Sequence, residues 1–275
     1  MDYDINQLRR VVLYIAKEVK RICEENSLRY TLIGGSLIGA VRHGGFIPWD
    51  DDFDIVMPRQ DYERFLEVCK TQLSPQFSVL NWNTNPNFMM GFTKITLEGT
   101  TAVEDVHKKE GYPSQIFVDI FPFDQIPEEQ KLRKRQEKKT YYYKKILLCK
   151  QNGDEYYKKF SGGKKIVYAA LCVLSHFYNR DALVKRYYHE MTRYQGDKQC
   201  YTSLAGAYGY SKEIIDHALL EHFIMLPFEG IEFSVMKDYD IYLGKVFGDY
   251  MQLPPEEKRV NHSYQHVDFG KYADL

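Results

Sequence analysis

The sequence has few of the features that mark secreted, disulfide-built or membrane-spanning proteins. Its five cysteines lie far apart and form no C-x-x-C pair, so neither a cysteine zinc cluster nor a dense disulfide framework is indicated. The longest apolar stretch, residues 166–178, is shorter than the roughly 20 residues that a membrane-spanning helix needs. The first ten residues lack the apolar region of a secretory signal. We therefore expect a cytoplasmic protein that crosses no membrane, with peripheral contact at the inner face of the plasma membrane left open.

The composition is that of a folded protein with one unusual concentration of charge. The 275 residues are 44% hydrophobic and 27% charged, and the formal net charge is -1, which places the chain among globular proteins. Between positions 131 and 165, thirteen lysines and arginines stand against three acidic residues. The positive charge is therefore one segment and not a general coat.

Hydrophobic periodicity predicts an α/β (α+β) fold, with a mixed sheet and a helical lobe. A stripe of apolar residues spaced by three and four predicts a helix over 5–23, capped by Asp4. Short strands are predicted at 30–33, 52–57, 92–97, 116–121, 223–226 and 231–235. Further helices are predicted at 37–41, 61–73, across most of 128–193, and at 239–247. We expect a catalytic core over 1–126, a basic helical lobe over 127–200, and a segment over 201–275 that returns to the core.

Three carboxylates in strand contexts are the most informative candidates for chemistry. Because side chains alternate along a strand, Asp52 and Asp54 share one face while Phe53 points the other way. Asp119 interrupts an otherwise apolar strand, where a charge needs a partner or a metal. If the two strands are neighbours, the three carboxylates converge as metal-assisted phosphoryl transfer requires, and oxygen ligands select Mg²⁺ or Mn²⁺. The alternatives are an acidic turn at a strand entrance for Asp52 and Asp54, and a strand-end carboxylate that caps a turn for Asp119. Asp124 is predicted to be such a turn residue, or else to orient the site.

A glycine-rich turn before a short helix is a candidate phosphate site. Gly34, Gly35 and Ser36 lie between a predicted strand and a predicted helix, where backbone amides and a hydroxyl can receive phosphate oxygens. No G-K-[ST] follows, so this is not a Walker A loop. Glycine also serves steric needs in such turns, and the acidic strands that follow are what favours the phosphate interpretation.

These elements together resemble the polymerase-beta-like nucleotidyltransferase superfamily and, more specifically, the LicD family of phosphocholine transferases. The resemblance rests on the unbroken run GGSLIGAVRHGGFIPWDDDFDI at 34–55, on VDIFPFD at 118–124 and on FGDYMQLPPEEKR at 247–259. Fukutin-type ribitol-phosphate transferases are distant relatives in the same group. Residues 131–222 carry little that matches.

The resemblance implies transfer of a phospho-alcohol, usually phosphocholine, from a CDP-activated donor to a hydroxyl of a cell-surface glycan. It implies that Asp52 and Asp54 hold the metal, and that Asp119 completes the metal site or accepts the proton of the attacking hydroxyl. Gly35 and Ser36 would contact phosphate, and Arg42 with His43 would neutralise charge on the transferring group. Glycerol phosphate or ribitol phosphate stays open as the transferred group, since aromatic cages that hold choline cannot be located from composition.

Two further sets of basic residues are candidates for substrate contact. Lys258, Arg259 and His262 would clamp the nucleotide or the acceptor, or else belong to a solvated tail. Lys94 would face the phosphates, or else lie on the exposed side of a half-buried strand.

The remaining alternatives concern the basic segment and the reaction itself. Residues 131–178 either rest on an anionic membrane surface or form a solvated helix face with a buried apolar helix behind it. No nucleic-acid recognition module is visible, and we expect no nucleic-acid partner. A nucleotidyltransferase acting on a small molecule and a non-catalytic scaffold are the competing functions; the crowded carboxylates argue against the scaffold.

Overall fold

The computed structural model describes residues 3–104, 112–196, 199–259 and 264–275. The α-helices are α1 (Ile5–Glu25), α2 (Gly34–His43), α3 (Arg59–Gln72), α4 (Gln130–Asn152), α5 (Asp154–Lys158), α6 (Gly162–His176), α7 (Arg180–Thr192) and α8 (Tyr239–Phe247). The strands are β1 (Thr31–Leu32), β2 (Asp54–Pro58), β3 (Phe77–Leu80), β4 (Thr93–Leu97), β5 (Thr101–Glu104), β6 (Phe117–Ile126), β7 (Cys200–Thr202), β8 (Ile215–Asp216), β9 (Phe223–Phe228), β10 (Ile231–Met236) and β11 (Tyr264–Asp268). The predicted mixed α/β fold class is confirmed.

A seven-stranded mixed sheet forms the centre of the fold. Its main path is β1-β2-β6-β4-β3, and β7 and β8 extend it from the distal half of β6. β2 and β6 run parallel, and the other pairs in this sheet are antiparallel. Two separate antiparallel pairs complete the described strands: the hairpin of β9 with β10, and β5 with β11, which are far apart in sequence.

The first helix packs one face on this sheet, as its sequence predicts. Asp4 caps it by accepting a hydrogen bond from the Asn6 amide at 2.8 Å, and the apolar stripe from Leu8 to Ile22 is buried in the main core. Burial of such a stripe stabilises the fold by about 25 cal/mol for each Å² of apolar surface removed from water. α1 therefore holds the sheet from one side.

The hairpin of β9 and β10 fixes the loop that precedes the acidic run. Its turn residue Glu229 accepts a hydrogen bond from the Phe46 amide, and the Glu229 amide donates to the Gly44 carbonyl at 2.8 Å. A Cβ at Gly45 would overlap the Glu229 carboxylate, so a larger residue there would displace the Glu229 side chain from this contact. The loop over 44–50 is consequently tied to the C-terminal third of the chain.

Helices α4 to α7 form a lobe around a second apolar core. Residues of α4 and α7 pack there with the loop over 88–92. None of the helices in the described ranges is long and apolar enough to cross a membrane.

The structure differs from the sequence predictions mainly at β6. This strand continues beyond residue 121, through Pro122 to Ile126, so the prediction that Asp124 is a turn residue is wrong. Asp124 is fully buried within β6 because the Arg59 guanidinium donates to both its oxygens, at 2.7 and 2.8 Å. That counter-charge makes a carboxylate tolerable inside the sheet.

Candidate active site

Three charged side chains form a row across adjacent strands. Asp54, the first residue of β2, pairs with Asp119 on β6, and Asp119 pairs in turn with Lys94 on β4. Directly paired residues project from the same face of a sheet. The two acidic strands are therefore neighbours, which is the condition under which the sequence predicts convergence of their carboxylates, and Lys94 on β4 extends the row by one strand.

Lys94 is the cationic partner of Asp119. Its Nζ lies 3.0 Å from Asp119 Oδ1 and 3.3 Å from Oδ2, and 3.1 Å from the centroid of the Phe117 ring. Lys94 is buried. Of the two alternatives for this residue, exposure on a half-buried strand is therefore wrong.

Burial dominates the electrostatics of Asp119. It raises the pKa of the carboxyl to about 6, against the lowering effect of the Lys94 ammonium, and the nearby Glu104 and Asp52 carboxylates raise it further. Removing a carboxylate from water favours its neutral form, and an adjacent cation favours its charged form. Asp119 is thus a carboxyl group that can both hold and release a proton near neutral pH.

Asp52 and Asp54 line a cavity of about 670 Å³. Asp50 and Gly35 line the same side, while Phe53 and Ile55 are fully buried on the other face, as strand alternation predicts. The cavity is also lined by Phe247, Asp249, Tyr250 and the stretch 252–255. The third motif of the sequence therefore meets the first one across this cavity.

The glycine turn brings the start of α2 against the carboxylates. Gly34 has φ +58°, and a Cβ on it would lie 3.3 Å from Asp54 Oδ2, while a Cβ on Gly35 would overlap the Asp50 carboxylate. The Ile33 N-cap makes no side-chain cap hydrogen bond among the described residues. The first amides of a helix are donors without intrahelical acceptors, so this turn can receive an anion beside Asp54.

Ser36 has a structural contact in this turn. It is buried, and its Oγ accepts a hydrogen bond from the Asp54 amide at 2.9 Å. The hydroxyl thereby fixes the first residue of β2 relative to α2.

Arg42 and His43 are the last two residues of α2, and of the two only Arg42 is among the cavity-lining residues. Arg42 lines the cavity, and its Nη1 donates to the carbonyl oxygens of Tyr250 at 2.6 Å and Gln252 at 3.1 Å. Burial and the Arg42 charge lower the pKa of His43. Arg42 thus places positive charge in the wall and ties the C-terminal motif to α2.

The basic candidates near the C-terminus are only partly described. The Arg259 guanidinium lies over the Trp49 ring, 5.1 Å from its centroid, and its Nε donates to the Pro254 carbonyl at 2.9 Å. Trp49 and Pro254 both line the cavity. The Lys258 side chain and His262 lie outside the described part of the chain.

Two residues with no sequence signal support the site. Arg9 on α1 donates to the carbonyl oxygens of Ile47, Pro48 and Asp50 at 2.8 to 2.9 Å. Tyr208 lines the cavity, and its hydroxyl lies 3.5 Å from the position of a Cβ on Gly34. Both contacts join residues far apart in sequence, so periodicity could not reveal them.

The donor set fits a hard divalent cation at Asp52 and Asp54. Both project carboxylates into one cavity, and such oxygens suit Mg²⁺ or Mn²⁺. No cluster of three or more potential His, Cys, Asp or Glu ligands occurs among the described residues. With Lys94 on Asp119, the geometry offers two carboxylates for a metal and a third held by an ammonium.

A glycine turn at a helix start beside paired carboxylates is an arrangement that suits phosphoryl transfer. A family model described as "LicD/FKTN/FKRP, nucleotidyltransferase domain" matches residues 27–160. The chain is 32% identical to the lipopolysaccharide cholinephosphotransferase LicD of Haemophilus influenzae, over 95% of this chain and 96% of that protein. It therefore belongs to the LicD family and is a phosphotransferase.

Two further similarities cover shorter parts of the chain. An uncharacterized protein of Rickettsia typhi is 30% identical over 46% of this chain and 39% of its own length. The human ribitol 5-phosphate transferase FKRP is 44% identical over 52 residues, which are 19% of this chain and 10% of that protein.

Proposed function

We propose that this protein transfers phosphocholine from CDP-choline to a hydroxyl of a cell-surface glycan such as lipopolysaccharide, with Mg²⁺ or Mn²⁺ as its metal. The observation that carries the proposal is the row of Asp54, Asp119 and Lys94 beside the start of α2. The near full-length similarity to a lipopolysaccharide cholinephosphotransferase supports the choice of donor and acceptor.

Asp52 and Asp54 would hold the metal, which neutralises charge on the donor diphosphate when bound. Gly35 and Ser36, in the first turn of α2 beside the Asp50 and Asp54 carboxylates, would contact phosphate oxygens of the donor. Arg42 adds positive charge from the cavity wall. The donor is thereby oriented by groups whose positions the strands and α2 already fix.

Asp119 is the proposed proton acceptor. The acceptor hydroxyl oxygen forms a bond to the phosphorus of phosphocholine, the bond from that phosphorus to the CMP oxygen breaks, and CMP leaves with the electron pair. The hydroxyl proton passes to Asp119. The Lys94 ammonium lies 3.0 Å from the Asp119 carboxylate and would fix the orientation of that carboxylate.

The walls of the cavity favour a cationic alcohol. Trp49, Tyr208, Phe247 and Tyr250 line it together with the Asp249 carboxylate. Quaternary ammonium groups bind aromatic faces, and a carboxylate adds favourable charge. Ribitol phosphate transfer is the second candidate, favoured by the 44% identity to FKRP over 52 residues.

The test is product analysis with purified protein, CDP-choline, lipopolysaccharide and Mg²⁺ or Mn²⁺. We expect metal-dependent CMP release and phosphocholine on the glycan, both lost in Asp52→Asn and retained in Asp274→Asn, an exposed acid at the C-terminus. If CMP is released only with CDP-ribitol or CDP-glycerol, that compound and not CDP-choline is the donor. Pyrophosphate release from a nucleoside triphosphate would instead establish nucleotidyl transfer and refute the proposal.

Metal binding can be tested apart from turnover. Mn²⁺ titration followed by electron paramagnetic resonance should show a bound ion in the unmodified protein and in Asp274→Asn. It should show much weaker binding in Asp52→Asn and Asp54→Asn, because each removes one charged oxygen ligand. Equal Mn²⁺ affinity in all four proteins would exclude these carboxylates as ligands.

A further inference from the structure

Helix α6 turns a set of large apolar side chains toward solvent. Along this helix and its C-cap, Ile166 is 73% exposed, Val167 58%, Val173 63% and Phe177 83%. The sequence alternative in which this apolar helix is buried behind a solvated one is therefore wrong. Only the opposite side of α6 packs inward, with Cys172 and Ser175 buried.

The exposed apolar residues share one side of the helix. At 100° per residue, Ile166, Val173 and Phe177 fall almost in line, with Val167 and Leu174 on one flank of that line. We call these five residues the α6 apolar face. A contiguous apolar surface of this kind marks an interaction site.

Positive charge flanks the α6 apolar face. Lys164 and Lys165 are both exposed, and their helical positions put them on opposite sides of it. On the Lys164 side a groove of about 440 Å³ lies between α4 and α6, lined by Tyr141, Lys145 and Tyr168 among others. Lys145 Nζ lies 5.2 Å from the Tyr141 ring centroid and 5.7 Å from that of Tyr168.

We propose that the α6 apolar face docks on an anionic phospholipid bilayer, with the helix parallel to the membrane surface. Apolar side chains would enter the acyl boundary, and Lys145 and Lys164 would meet lipid phosphates in the groove. Tyr141 and Tyr168 suit the boundary between lipid headgroups and acyl chains, because tyrosine rings are apolar and their hydroxyls are polar. A second copy of the chain is a poorer occupant, since its lysines would face lysines of the same charge.

This surface lies on α4 and α6 and includes none of the residues that line the proposed donor cavity. Its test therefore needs no activity. The full-length protein is floated with vesicles of phosphatidylcholine alone and with vesicles that also contain phosphatidylglycerol. We expect binding to the second kind only, weakened by salt.

Two substitutions test the apolar contribution against a matched control. Ile166→Gln and Phe177→Ser should each weaken binding to anionic vesicles about ten-fold, because each removes an apolar group that the bilayer would bury. Ile241→Gln, at a site 61% exposed on α8, should bind as the unmodified protein does. Thermal unfolding followed by circular dichroism checks that all three variants are folded.

A second pair of variants tests the contribution of lysine charge to vesicle binding. A fluorescence measurement then tests whether the α6 apolar face enters the bilayer. Lys164→Gln should weaken binding about five-fold, and Lys237→Gln, an exposed lysine on another face, should not. In Phe177→Trp, but not in Ile241→Trp, lipids with brominated acyl chains should quench the added fluorescence. Unchanged vesicle binding by Ile166→Gln and Phe177→Ser would overturn the proposal. So would a concentration-dependent dimer in sedimentation that these two substitutions abolish.

Discussion

The buried carboxyl group of Glu213 predicts a specific pH dependence of the free energy of unfolding. It is fully buried, between Lys144 of α4 and the Tyr242 hydroxyl of α8, and Tyr242 in turn borders the Gly34 backbone. Burial raises the pKa of Glu213 from its ordinary 4.5 to about 7, although Lys144, Tyr242 and Lys212 oppose the rise. The folded protein therefore keeps this carboxyl protonated at pH values where the unfolded chain releases the proton.

The sign and size of the effect follow from that difference. Between pH 4.5 and 7 the folded state binds more protons than the unfolded state at this residue, so its contribution to stability falls as pH rises. A difference of this size corresponds to about 3 kcal/mol once both states are ionised, above pH 7. Glu213→Gln keeps the shape of the side chain and removes this pH-dependent loss.

The assay is urea unfolding of both proteins at pH 5, 6, 7 and 8, followed by circular dichroism. The free energy of unfolding of Glu213→Gln minus that of the unmodified protein should increase by about 2.5 kcal/mol between pH 5 and pH 8. Lys144→Met should shift the change to higher pH, because Lys144 lowers the pKa of Glu213. A difference that does not vary with pH would refute the reasoning.

The other predictions concern the active site. Asp54→Asn should reduce turnover about a thousand-fold and change the free energy of unfolding by less than about 1 kcal/mol; normal CMP release would exclude a catalytic role. Gly35→Ala should abolish activity because its Cβ would overlap the Asp50 carboxylate, whereas Gly163→Ala on α6, where the added atom meets nothing within 4 Å, should retain it. Arg9→Ala should lower kcat about ten-fold by freeing the loop over 47–50. Arg9→Lys should restore only part of this, since lysine lacks the guanidinium fork; equal kcat in the three proteins would exclude the positioning role.

The sequence predicted the elements that carry strong local patterns. α1, with its Asp4 cap and apolar stripe, and α8 over 239–247 are present as expected. The two acidic strands themselves follow from alternation and composition, because each combines buried apolar positions with carboxylates; that they lie side by side was only a condition in the sequence argument. Such features are local, so a single sequence contains them.

The remainder depends on tertiary pairing. β3, β5, β7, β8 and β11 are short strands without a clear alternation of apolar and polar residues, and the pairs β5–β11 and β6–β7 join strands far apart in sequence. The ion pair of Lys94 with Asp119 follows from the register of β4 on β6, and a shift of one residue would place Lys94 on the other face. Asp124 was misassigned to a turn because its counter-charge, Arg59, lies 65 residues away.

Helix α4 contacts both the loop that reaches the cavity and the groove beside the α6 apolar face. Lys144 and Lys145 are neighbours on α4 and therefore point about 100° apart. Lys144 Nζ donates to the carbonyl oxygens of Ala205 at 2.8 Å and Gly206 at 2.6 Å, within the loop that brings Tyr208 to the cavity beside Gly34 and Asp54. Lys145 lines the groove beside the α6 apolar face. Because α4 carries both lysines, it connects the loop of Tyr208 to this groove. If the proposed docking takes place, α4 would therefore set the orientation of the cavity relative to the membrane surface.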